Sequence, residues 1–363
     1  MTKYLPIGAL CVALLAGCTS APPHAPRPSA PASITPADHV IAESWISEPA
    51  DGEELDSVAA WPTEDGGLWL IATAKSTHRL AVYDGDSGRP LRHVGSRGQE
   101  PGQFERPNGI AVFGDLLFVT ERDNHRVQVF ELPDFTPLGV FGAQELRSPY
   151  GLWLHETGPG ELEVLVTDSF MADFEKRVLP PMAELDQRVR RFRVNVDIEG
   201  RLHARYDGSF GDTTEAGALR MVESIAGDPV HDRLLIADED RRVGSTLREY
   251  RLDGRYRGFS LPVFDADAEG ISLWACSAED GYWIAVDQLT PTLFRVYDRR
   301  TLQPVGIFSG GQVANTDGQT LYAAPTPRFP AGALFALHDD RSLAAFDLRD
   351  IARALSLRQD CLR

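Results

Sequence analysis

From residue 56 onward the chain repeats one pattern of polar and apolar positions. A polar residue is followed by Gly or Ser and an alternating stretch, then a turn, an apolar run, a second turn and a third run that ends near Tyr or Phe. Six segments share the start: DSVAAW from Asp56, NGIAVF from Asn108, YGLWLH from Tyr150, ESIAGD from Glu223, EGISLW from Glu269 and DGQTLY from Asp317. The apolar runs that follow are LWLIATAK, LLFVTER, LEVLVTDS, RLLIADED, YWIAVDQ and ALFALHD, and HRLAVYD, HRVQVFE, TLREYRL, TLFRVYD and SLAAFDL come third. Short β-branched and aromatic runs between turn residues indicate antiparallel strands, not helices. The Gly or Ser positions (Ser57, Gly109, Gly151, Ser224, Gly270, Gly318) are separated by 52, 42, 73, 46 and 48 residues. Repeats of about 40–50 residues carrying four short strands predict an all-β fold, a six-bladed β-propeller with four-stranded antiparallel blades over residues 40–363. A β-sandwich array is the alternative, and the regular period argues against it. The long interval contains FMADFEKRVLPPMAELDQRVRR, polar and partly helical in pattern, read as an insertion within the third blade.

The first 39 residues do not share the repeat. Lys3 precedes an apolar run, Leu5 to Leu15, that suits a signal-peptide core and is too short to span a bilayer. It ends in Leu14-Leu15-Ala16-Gly17-Cys18, which resembles a bacterial lipobox. Residues 1–18 are therefore expected to be a lipoprotein signal peptide, with Cys18 as the lipidated residue. Thr19 in place of Asp after that Cys implies the outer membrane in a Gram-negative cell envelope. Residues 19–39 are rich in Pro, Ala and Ser, and read as a semi-extended tether between a lipid anchor in the membrane and the propeller.

Charge narrows the partners. With 36 Lys+Arg against 53 Asp+Glu the formal charge is −17, so no nucleic acid is expected as a partner. The chain is expected to be a monomer. Nine His without an H-x-x-H pair offer no zinc site, and the absence of G-x-S-x-G leaves a serine triad unsupported. Cys276 and Cys361 could pair in an oxidising compartment, although Cys276 lies in a strand pattern where a buried free thiol is the commoner state.

In a propeller the innermost strands surround one axis, so equivalent repeat positions form rings. The residue before each Gly or Ser is Asp56, Asn108, Tyr150, Glu223, Glu269 or Asp317, and four of these six are carboxylates. The ends of the next strands bring Lys75 and Arg122 from the first two blades, and Asp238, Glu239 and Asp287 from the fourth and fifth. The channel mouth is therefore expected to be cationic on one side and anionic on the other. Facing carboxylates stay ionised only beside a cation, and hard oxygen ligands suit Ca²⁺. Lys and Arg beside bound calcium would seat a phosphate. The competing reading is that ring carboxylates merely bond neighbouring strand backbones.

These residues resemble the β-propeller phytases, calcium-dependent 3-phytase enzymes that remove phosphate from inositol hexakisphosphate. The strongest stretch is DAEGISLWACSAEDGYWIAVDQLTPTLFRVYDRR, followed by NTDGQTLYAAPTPRFPAGALFALHDD and AAFDLRDIARAL. It is similar to that family's D-x-E-G-L, Y-D-R, D-T-D-G-I, F-P-x-G and Q-D-G elements in order. DSVAAW, ATAKSTHRLAVYD, PYGLWL and IADED are similar to its upstream motifs, so the resemblance spans nearly the whole mature chain. It implies phosphate-contacting roles for Lys75, Arg122 and Tyr150. It also implies calcium-ligand or catalytic-centre roles for Asp56, Glu223, Glu239, Asp267, Glu269, Gln288 and Asp317. The chain differs at Ser57 and Val58, at Val286-Asp287-Gln288-Leu289 and at Asp340, and ERPNGIAVFGDLLFVTERDNHRVQVFE is closer to an NHL-type repeat, a non-enzymatic propeller unit. The resemblance thus implies a calcium-dependent phosphomonoesterase acting on inositol phosphates or a related phosphorylated small molecule. A non-catalytic NHL/phytase-like propeller serving as an envelope binding or scaffold module is the alternative, and a lactonase-type propeller hydrolase is a third reading.

Overall fold

The computed structural model describes Met1 and residues 35–362. The expected signal peptide, Cys18 and most of the tether fall outside these residues. The unit Thr35–Arg363 is a ring of six antiparallel blades, as the repeat predicts. Their innermost strands are Leu55–Pro62, Pro107–Phe113, Pro149–Gly158, Val222–Asp228, Ala268–Ala275 and Gln319–Tyr322. Blades one to five then run outward in chain order through their next strands, as does blade six through its first three.

The second strand of each blade reads as a nearly continuous apolar run because both its faces are covered by neighbouring blades. Leu70, Ile71, Val119, Leu165, Ile236, Ile284 and Leu334 are all fully buried. The core is accordingly six inter-blade layers in place of one central mass. Between blades one and two, Trp61, Ile71 and Leu80 meet Leu117, Val119 and Phe130. Between blades three and four, Leu165 and Val189 meet Leu234, Ile236 and Tyr250. Each large side chain buried this way contributes about 1.5–3 kcal/mol.

Ring closure uses the N-terminal segment. Trp45–Ile46 pairs antiparallel with Ala344–Ala345 as the outermost strand of blade six, whose other three strands come from the chain's C-terminal end. His39–Val40 adds a parallel fifth strand to blade five. Both cover edges that would otherwise offer unpaired N–H and C=O groups.

Three expectations change. The repeat was expected to run to residue 363, but the last strand ends at Asp347 and is followed by a short α-helix, Leu348–Ala354, and a 3-10 turn, Gln359–Leu362. The blade-three insertion is helical only over the 3-10 turn Met182–Gln187, and its first half is a small loop closed by an Asp173–Val178 bridge. Cys276 is not a free thiol: it is bonded to Cys361, because the C-terminal turn folds back onto blade five.

Candidate cation and phosphate site at the channel mouth

The innermost strands of the first five blades share one irregularity near their starts, and that of blade three has a second, between Glu156 and Gly158. In the first five blades the register slips between Leu55 and Val58, Pro107 and Ile110, Pro149 and Leu152, Val222 and Ile225, and Ala268 and Ile271. A bulge of this kind bends the strand and re-aims a side chain. The residues inside it are Asp56, Asn108, Tyr150, Glu223 and Glu269 with the Gly or Ser that follows each. The small residue is required by crowding: a Cβ on Gly318 would lie 2.5 Å from the Asp56 carbonyl, and one on Gly109 would strike that of Tyr150. Thr73 and Thr167 tie the seam by donating to the Asn108 and Glu223 carbonyls, each at 2.6 Å.

A cavity of about 230 Å³ opens where these bulges converge. It is lined by Asp56, Lys75, Tyr150, Glu223, Glu239, Asp267, Glu269, Gln288 and Asp317, so nine of the ten candidate cation, phosphate and catalytic residues share one cavity. The tenth, Arg122, lies beside it in a neighbouring hollow with Arg147 and Phe170. Arg122 bonds Asp123 at 2.7 and 3.2 Å, has its guanidinium 5.1 Å from the Phe174 ring centre and sits next to the Tyr150 hydroxyl. Below the mouth the channel, about 370 Å³, is lined by the small residues and apolar side chains of the innermost strands.

The carboxylates of the mouth fall into two groups. Lys75 Nζ lies 2.7 Å from Asp56 and 3.5 Å from Asp317, and Gln288 also donates to Asp317. Arg241 grips Asp267 with two bonds, of 2.5 and 2.7 Å. By contrast, Glu223, Glu239 and Glu269 bring one oxygen each within 4.8 Å of one another and make no salt bridge among the described residues. Glu239 Oε1 is buried without a hydrogen-bond partner, as is Oδ1 of Asn108, a cavity residue only 2% exposed. Three converging hard-oxygen donors with an unsatisfied acceptor fit a divalent cation such as calcium.

Titration behaviour follows from that geometry. Burial pushes Glu223 and Glu269 well above the usual carboxylate range, and the charge of Glu239 adds to it in both. Burial likewise pushes Glu239 up to about 7, against a hydrogen bond from Glu269. Asp317 is raised by burial and then by Asp56. Burial works against the Lys75 ammonium, but Asp56 and Asp317 more than offset it and its pKa is raised. Burial raises the Tyr150 phenol, with Glu223 adding to it.

Asp238 and Asp287, expected on the anionic side, do not reach the mouth. Each is fully buried within its blade, accepting from Arg248 or Arg295 on the next strand. Asp238 also accepts the Met221 N–H, and Asp287 those of Asp265 and Ala266. Along a strand successive side chains alternate faces, so Glu239 and Gln288, one residue on, turn to the cavity instead. The polarisation itself is present, since Lys75, Arg106, Arg122 and Arg177 come from blades one to three.

Arg106 and Arg177 were missed. Arg106 lies two residues before the ring position of blade two, the offset at which Asp267 stands in blade five, so the repeat carried a usable signal. Arg177 belongs to the insertion, outside any period. Its backbone carbonyl accepts from Arg242 of blade four, and its charge acts on Glu239. Asp340, where the resembled family has Gly, adds another carboxylate near Lys75 and Asp56, raised by burial.

Among known proteins, no curated protein is similar to this chain in sequence. Among solved structures, hydrazine synthase of Kuenenia stuttgartiensis is 12% identical with a TM-score of 0.45, covering 87% of this chain and 83% of that one. A chain from the crystal structure of a mitotic checkpoint complex is also 12% identical with a TM-score of 0.45, covering 91% and 82%. The NHL repeat family model matches residues 104–130, so the lead-in and first three strands of blade two are similar to an NHL repeat set in a six-bladed propeller.

Proposed function

We propose that the protein is a calcium-dependent phosphomonoesterase of the phytase type, acting at the channel mouth on inositol hexakisphosphate or a related phosphate ester. The observation that carries this reading is the Glu223, Glu239 and Glu269 cluster, which makes no salt bridge among the described residues and lies beside the cationic half of the mouth. A divalent cation bound there supplies the charge that lets an anionic ester approach, and polarises a phosphate oxygen. The chain's own residues do the rest. Arg106 and Arg177 offer guanidinium donors to phosphate oxygens on the cavity wall, and the planar fork matches two oxygens at once. Arg122 holds the Tyr150 hydroxyl at the edge of the same wall. Lys75 fixes Asp56 and Asp317 in place, so its charge is shared between positioning and substrate.

The test is phosphate release from inositol hexakisphosphate by the purified protein, with calcium and then with excess chelator. Release that disappears on chelation supports the reading, and no release by a folded, calcium-loaded protein overturns it. A second reading, an envelope module that binds phosphorylated ligands without turnover, is favoured by the engagement of Lys75 and Asp267 in ion pairs. It expects binding of the same compound with no release. In both readings we propose anchoring through Cys18, which membrane fractionation of a Cys18→Ser variant would test.

A further inference from the structure

Part of the mouth already carries a cation of the protein's own. Arg241 Nε and Nη2 lie 2.5 and 2.7 Å from the two oxygens of Asp267, the two-pronged geometry in which guanidinium matches carboxylate. The contact crosses between blades. Arg241 follows the second strand of blade four, Arg233–Asp238, whereas Asp267 stands just before the innermost strand of blade five. The adjacent Arg242 is engaged separately, by Asp240 at 2.6 Å, so the two arginines are not interchangeable. Arg241 is 61% exposed at the side chain and Asp267 only 21%, which places the guanidinium as a cap on a carboxylate that faces the cavity.

We propose that Arg241 is a resident counter-ion that takes the place of a second divalent cation beside Asp267, so that the mouth binds one such ion, at Glu223, Glu239 and Glu269. This rests on the cation-dependent reading of the mouth. Calcium takes hard, charged oxygen ligands, and a carboxylate gripped through both oxygens by a guanidinium already has its charge offset and half of its lone pairs engaged. The triad differs: among the described residues it has no such partner, while Glu239 Oε1 and the nearly fully buried Asn108 Oδ1 are acceptors left without donors in the same cavity. An exposed ion pair is a weak interaction, so removing Arg241 is expected to uncover Asp267 without unfolding the blade.

Calcium titration of the full chain by calorimetry, with equilibrium dialysis as a second count, reads this directly. The wild type is expected to bind one ion. Arg241→Ala and the more conservative Arg241→Gln are expected to bind two, with the affinity of the first unchanged, and Arg241→Lys one. Glu239→Gln is expected to lose the wild-type ion. Two or more ions on the wild type, or one on both neutral variants, would overturn the resident counter-ion and leave the cation-dependent reading standing. No calcium on any of the folded proteins would overturn both.

Discussion

Two sets of acidic residues, drawn from the same repeat and only a few residues apart, have opposite surroundings. Glu121, Asp168, Asp238 and Asp287 end the second strands of blades two to five. Each is fully buried and each is met by an arginine on the next strand, directly opposite in the case of Arg126 and two residues further along in the cases of Arg190, Arg248 and Arg295. Each also accepts a backbone N–H from the segment entering its blade. Glu223, Glu239 and Glu269 face the cavity without a salt bridge among the described residues, and feel Lys75 and Arg177 only through space. A carboxylate compensated on every side holds a fold together, whereas one that lacks a counter-charge is costly to keep and is retained where something else supplies the charge.

The comparison can be broken most strongly through the compensated set. Asp168→Ala leaves Arg190 buried without its carboxylate and removes the acceptor for the Ser148 N–H, so a loss of about 3–5 kcal/mol is expected in urea denaturation. Glu269→Gln is expected to leave the cation-free protein as stable as the wild type or more so. Equal losses in the two variants would erase the distinction.

Calcium should act on one set alone. At a free concentration one hundred times the dissociation constant, binding to the folded state adds about 2.7 kcal/mol to apparent stability. Thermal unfolding with calcium and with chelator should show that gain in the wild type and none in Glu239→Gln. A retained gain in that variant would place the ion elsewhere.

Smaller effects are expected across the cavity. Arg177→Ala and Arg106→Ala each remove a charged donor, so KM for the phosphate ester should rise by about tenfold or more while kcat and melting temperature stay near wild type. An unchanged KM for both would leave the cationic wall without a role in binding.

The most graded effect is that of pH on the triad. The folded-state pKa of Glu239 lies at about 7 against an ordinary 4.5, so folding favours its protonated form. Its contribution is therefore fully present below about pH 4.5 and is lost as the pH rises through 7. In chelator, the melting temperature of Glu239→Gln minus that of the wild type should grow over that interval and level off above it. Added calcium should close the gap by raising the wild type. A gap that shrinks as pH rises would reverse the sign and contradict the burial of that carboxylate.

How far the sequence carried these conclusions depends on how many sides of a residue are covered. Second strands such as Leu68–Ala74 and Ala333–His338 are buried on both faces, and their continuous apolar runs mark them plainly. Outer strands such as Leu202–Phe210 and Tyr256–Ser260 are largely exposed, so nothing in LHARYDGSF or YRGFS imposes a period. The two-residue strands Trp45–Ile46 and His39–Val40 are fixed only by closure of the ring, a contact across nearly the whole chain. In the site, Asp56, Glu223, Glu269 and Asp317 were legible because the crowded Gly or Ser beside each marks where the innermost strands approach. Asp238 and Glu239 could not be told apart that way, since a shift of one residue exchanges the blade interior for the cavity. Arg177 gave no signal at all, because its position is set by how the insertion crosses from blade three to blade four.

Anomalous diffraction from crystals grown with Mn²⁺ or Tb³⁺ tests the central distinction most directly. The account expects a peak within coordination distance of Glu223, Glu239 and Glu269 and none at Asp168, Asp238 or Asp287. A triad without a peak at a saturating ion concentration, or a peak among the arginine-paired carboxylates, would contradict it.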